Sequence, residues 1–98
     1  PDVTSTDVDA DTTRLTVRRA ALFSNYIGIK KAIDRVPAPR NVVLDLADTK
    51  LVDHTVLDRL HDLGRDFETE GRKLVVIGLE QHVPATGDPL SSRKRAPA

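Results

Sequence analysis

The sequence predicts one α/β domain, a small and mostly parallel sheet with helices packed on it as a sandwich. Two observations lead there. Apolar runs with the two-residue or continuous pattern of strands alternate with stretches that repeat every three to four residues, in the order strand, helix, strand, helix, strand. Such alternation favours parallel strands joined by right-handed helical crossovers. The length agrees, because 98 residues make a single domain that buries roughly 60% of its unfolded surface.

Each element can be justified in turn. Residues 1–12 hold Asp2, Asp7, Asp9 and Asp11 and no base. They read as an acidic linker or as an edge strand, in which "VTST" pairs back through the turn-like "DADT" to make an N-terminal edge hairpin. "RLTVRR" alternates apolar Leu15 and Val17 with polar neighbours, the period of a half-buried strand. "SNYIGIKKAIDRV" places Tyr26, Ile29, Ile33 and Val36 on one helical face and Lys30, Lys31, Asp34 and Arg35 away from it. Ser24 or Asn25 is placed to cap its start, and Pro37 and Pro39 end it. "NVVLDL" is short and nearly continuous in apolar residues, as expected of a strand covered on both faces, and "KLVVIGL" repeats that pattern. Between them Val56, Leu60, Leu63 and Phe67 mark the buried face of a second helix, with Asp53 placed as its N-cap. The domain proper is expected over residues 13–83. Residues 84–98 read as a loose basic tail punctuated by Pro84, Gly87 and Pro89 and carrying Arg93, Lys94 and Arg95.

Composition excludes several functions. Fifteen basic and fifteen acidic residues cancel, so no strong field draws the chain to nucleic acid or an anionic membrane. Three aromatic residues are too few for a base-stacking platform. The absence of cysteine removes disulfides and thiolate zinc sites. No apolar run approaches the ~20 residues of a membrane helix, so direct membrane insertion is not expected. The sequence begins at Pro1 and holds no methionine, as expected of a fragment or of a chain that has lost its initiator.

The chemistry concentrates in "LADTKLVDHTVLDRLHDL", where Asp53, His54, Thr55, Asp58, His61 and Asp62 crowd together. His54, Asp58, His61 and Arg65 share a helical rhythm distinct from that of the apolar face, so periodicity alone explains their proximity. Two histidines seven positions apart do not match the zinc-protease helix, whose histidines stand four apart. Thr55 lacks the glycine-rich elbow of a hydrolase nucleophile, and no glycine-rich phosphate loop is present. Neither a catalytic centre nor a cofactor is expected. Thr55 does fall in the first turn, where backbone N–H groups and the helix dipole favour an added phosphate. It is equally an ordinary first-turn residue. His54 and His61 could respond to pH near neutrality, since the imidazole ordinarily titrates there.

Taken together, "NVVLDL", "TKLVDHTVLDRLHDL" and "GRKLVVIGLE" resemble a STAS domain, the module shared by anti-sigma factor antagonists and the cytoplasmic ends of SulP anion transporters. "AALFSNYIGIKKAI", "LADTKLVDHTVLDRLH" and "VIGLEQH" resemble the C-terminal domain of a bacterial SulP transporter of the sulfate and bicarbonate type more than a free-standing antagonist. The resemblance covers residues 13–83. It implies a non-catalytic regulatory domain on the cytoplasmic side of the membrane, partnered with an N-terminal transmembrane region of the same polypeptide and with a second copy or a regulatory protein. It also implies a contact surface of Asp48, Thr49, Lys50, Asp53, His54, Thr55, Asp58 and His61. Phosphoswitch antagonists carry Asp-Ser-Ser-Gly or Asp-Ser-Thr-Gly where this chain reads Asp53-His54-Thr55-Val56. His54 thus stands where those relatives take the phosphate, and Thr55 is the hydroxyl that remains. The family's usual final strand and helix are missing or reduced after Glu80. A free-standing antagonist is the alternative that the same resemblance leaves open.

Overall fold

The computed structural model describes residues 2–84 and 93–95. Its strands are β1 (Asp2–Asp7), β2 (Thr12–Ala21), β3 (Asn41–Asp45), β4 (Thr49–Val52), β5 (Leu74–Ile77), β6 (His82–Pro84) and β7 (Arg93–Arg95). Its helices are α1 (Tyr26–Asp34) and α2 (His54–Thr69). The sheet runs β5-β3-β2-β4-β7-β6, with β1 also paired to β2. β2 lies parallel to both β3 and β4, and β3 lies parallel to β5. β1 is antiparallel to β2, so the acidic N-terminal segment is the edge strand of a hairpin. The expected mixed α/β fold with a mostly parallel sheet is therefore the observed one. Among the described residues no helix is long and apolar enough to cross a membrane.

The core forms where the helical and strand periods meet. Leu15, Val17, Val42 and Leu44 point from the sheet toward Ile29, Ile33 and Val36 of the α1 segment and toward Val56, Leu60 and Phe67 of α2, all buried. Both helices pack on this one face. The expectation that β3 and β5 are covered on both faces is thus corrected. Val43 is only half-buried, and Val75 and Ile77 remain 45% and 39% exposed. Lone apolar runs do not distinguish a doubly covered strand from an edge strand whose outer side chains happen to be apolar.

Two polar devices lock the layers together. Arg72, 7% exposed, donates from Nε to the Arg40 carbonyl (2.7 Å) and from its terminal nitrogen to that of Val36 (3.3 Å), and it lies 4.2 Å from the Phe67 ring centroid. It thereby joins the ends of α1, α2 and the loop before β3. Arg40 in turn donates to the carbonyls of Asp9, Ala10 and Thr12, holding the β1–β2 turn. On the open face Arg14 pairs with the buried Asp45, whose other carboxylate oxygen accepts the Ala47 N–H (2.9 Å).

Three segments depart from expectation. β4 occupies residues to which the sequence pattern assigns no element, and it follows β3 after only three residues. Arg93–Arg95, read as part of a loose tail, pairs antiparallel with β4 and with β6. Residues 85–92 and 96–98 of that tail lie outside the described residues. Asn25 does not cap α1 through its side chain. Its amide accepts the Leu22 N–H (2.7 Å) and donates to the Ala20 carbonyl (3.1 Å), closing the turn from β2 into the 3-10 turn Phe23–Asn25.

Candidate interaction surface

The start of α2 is fixed against the end of β2. The Asp53 N–H donates to the Ala21 carbonyl (2.9 Å), and the Asp53 carbonyl accepts the Leu57 N–H (3.2 Å) to begin the helix. Asp53 holds the N-cap position with extended backbone, yet its carboxylate makes no cap bond. It accepts the Phe23 N–H instead (2.9 Å). The expected helix cap is therefore a bond between segments, which ties the turn before α1 to the beginning of α2.

The polar stripe follows from that anchor. His54 Nε2 lies 3.3 Å from Asp58 Oδ2 across one helical turn, with His54 half-buried and the Asp58 side chain mostly in solvent. Such exposed pairs contribute little, roughly 0.3–0.5 kcal/mol. Asp48, Lys50, Thr55, Asp58 and His61 are exposed, while Asp53 and His54 are half-buried. Seven of the eight expected residues thus reach the surface. Thr49 does not. It is fully buried in β4, and its hydroxyl donates to the Val17 carbonyl (2.7 Å). That corrects its placement on a contact surface, because a threonine at the inward position of a strand satisfies its hydroxyl against the neighbouring strand.

Beside the stripe stand two large apolar side chains that pattern reading did not assign to it. Phe23 is 56% and Ile27 69% exposed, and the Arg59 guanidinium sits 5.8 Å from the Phe23 ring centroid. The available signal was the four-residue step from Phe23 to Ile27, away from the core face of α1. Behind them Tyr26 borders a cleft with Lys30, Arg59 and Asp62. Burial pushes its phenol above the ordinary value, against the opposing pull of Lys30 and Arg59. The hydrogen bond to Asp34 raises the Lys30 ammonium above its usual range.

Among the described residues no base is hydrogen-bonded to Thr55, and no three carboxylates or imidazoles are grouped to hold a metal ion. What the surface offers is an exposed aromatic and an isoleucine, an arginine stacked at their edge and a rim of charge, the composition of a protein contact.

No family model matches the chain, and no curated protein matches it in sequence. Among solved structures it is similar to the crystal structure of an antisigma-factor antagonist, a STAS domain from Rhodobacter sphaeroides. The TM-score is 0.66 over 92% of this chain and 94% of that one, at 18% identity. At that identity the likeness is one of fold. The chain has the STAS fold.

Proposed function

We propose that this chain is a non-catalytic STAS-type interaction module that acts by docking the surface around the start of α2. The observation that carries this reading is the contiguous patch of Phe23, Ile27, Arg59, His54 and Asp58, held by the Asp53–Phe23 bond, on a STAS fold. The reading we favour makes it the cytoplasmic end of a SulP-type anion transporter, serving folding, assembly or gating of an N-terminal transmembrane region. What supports this is the resemblance of "AALFSNYIGIKKAI" and "LADTKLVDHTVLDRLH", together with His54 standing where phosphoswitch relatives carry serine. The transported anion is handled by the transmembrane part.

The solved structure that shares the fold favours a second reading, a free-standing antagonist with Thr55 as its remaining hydroxyl. A blot of fractionated native cells separates the two. A large band in the membrane pellet is expected. A soluble band near 10.8 kDa overturns the transporter reading and makes phosphate on Thr55 the next measurement. Replacing the exposed Asp58 and His61 with Ala keeps the fold and is expected to alter transport or assembly. Unchanged behaviour in both contradicts the docking role.

A further inference from the structure

A second place on the molecule is built to receive a ligand, where α2 faces β5 beyond the polar stripe. β5 is the end strand of the sheet, and among the described residues nothing pairs with its outer side. The Lys73 and Ile77 carbonyls accept the N–H groups of Val42 and Leu46, both at 2.9 Å. Strand alternation then turns the N–H and C=O of Leu74 and Val76 outward, away from β3. Exposed edges are ordinarily blunted by charge, proline or a bulge. Among the described residues the edge strand β1 is so blunted, bearing Asp2 and Asp7. β5, reading Leu-Val-Val-Ile, carries neither charge nor proline, and its pairing with β3 runs without a shift.

Alongside this edge runs a groove of about 340 Å³ between β5 and α2, floored by Leu57, Leu60, Leu74, Val76 and Leu79. Gly64 opens it. A glycine within a helix is unfavourable relative to alanine, and here packing does not demand one. A Cβ at this position would meet the Leu74 carbonyl oxygen at 3.5 Å, an ordinary contact. The missing side chain leaves the space beside the outward-facing Leu74 carbonyl free of a Cβ. Arg65 stands exposed on the rim beside it, where His61 and Glu68 also line the groove, and it forms no ion pair among the described residues.

We infer that this edge and groove take an extended peptide segment of a partner protein by strand addition. Backbone groups of the segment pair with Leu74 and Val76, and its alternate apolar side chains enter the groove. An acidic side chain between or beside them meets Arg65. Unpaired backbone donors and acceptors next to an apolar channel specify an extended strand, whereas an apolar groove alone would not choose among ligands. His61 borders both this groove and the α2-start surface, but the inference rests on the β5 edge and stands whether or not that surface docks a partner.

The test uses the full 98-residue chain as bait for a phage-displayed library of random nine-residue peptides. The expected winners alternate apolar residues with an Asp or Glu among them. In synthetic form they shift the amide resonances of Leu74 and Val76, and methylating alternate backbone nitrogens weakens them at least tenfold. Gly64→Leu, which fills the groove, and Arg65→Glu each lower affinity at least fivefold while the chain's circular dichroism is unchanged. Gly64→Ala, which has room, keeps the protein folded if the leucine variant does not, and it weakens binding less. No enrichment overturns the inference, as does binding indifferent to N-methylation and to both substitutions. Concentration-dependent self-association that shifts the same amides without peptide overturns it too, since a second copy would then fill the edge.

Discussion

Two glycines with positive φ show how differently one residue type can matter. Gly78 has φ +89°, and a Cβ there would lie 2.3 Å from the Ala47 nitrogen and 2.9 Å from Asp45 Oδ1. Gly71 has φ +73° with nothing within 4 Å. Gly71→Ala should cost only the left-handed penalty of about 1 kcal/mol. Gly78→Ala adds a backbone collision beside the Arg14–Asp45 pair and should cost about 3 kcal/mol or more. Urea unfolding of both variants checks the difference, and equal losses would refute the crowding at Asp45. Asp53 carries a further prediction at this scale. Asp53→Ala removes the acceptor of the Phe23 N–H and should cost about 1 kcal/mol, while Asp53→Asn, which keeps a carbonyl oxygen, should recover most of it. The amide exchange rate of Phe23 should rise in the alanine variant alone.

At the scale of elements, the helices were legible because their buried faces repeat. Ile29 and Ile33 in α1, and Val56, Leu60 and Phe67 in α2, are the positions that the period selects. β2 and β3 were legible for the same reason with a period of two or a continuous apolar run. β4 was not. It has four residues, two of them polar, and its inward Thr49 is satisfied only by the Val17 carbonyl of another strand, a tertiary fact that no local pattern carries. Arg93–Arg95 read as tail because three consecutive bases look solvated. Of the candidate surface, the stripe Asp58–His61 followed from helical spacing. The part formed by Phe23 and Ile27 did not, because it depends on the Asp53 carboxylate reaching across to a different segment. The glycine within α2 belongs to this scale as well. Gly64→Ala has room for its methyl group, so the helix should gain about 0.5–1 kcal/mol in stability, read as an upward shift in Tm. A loss instead would mean that the helix must approach β5 more closely than a methyl allows.

Across the whole molecule, one buried cation connects pieces that are distant in sequence. Arg72 satisfies the carbonyls of Val36 and Arg40 while lying on the Phe67 ring. Removing it leaves two carbonyls in a nearly closed space. Arg72→Ala should therefore cost about 2–4 kcal/mol, and Arg72→Lys should rescue little, because an ammonium cannot span both acceptors or lie flat on the ring. Hydrogen exchange should then rise together at the end of α1 and the end of α2, and an effect confined to α2 would contradict the shared clamp. The same connectivity sets the two ends of the molecule apart. The β1–β2 turn, held by Arg40, lies at the start of the long strand β2, whereas the α2-start surface lies at its far end.

That separation gives the most direct test of the central claim, that the α2-start surface docks on another protein. A photo-crosslinking residue placed at Asp58, and separately at Asp9 in the β1–β2 turn, is activated in native cells. Crosslinking from position 58 to a protein or to a transmembrane segment, reduced at least fivefold by Phe23→Ala and absent from position 9, is the predicted result. No crosslink from position 58, or equal crosslinking from both ends of the molecule, would contradict it.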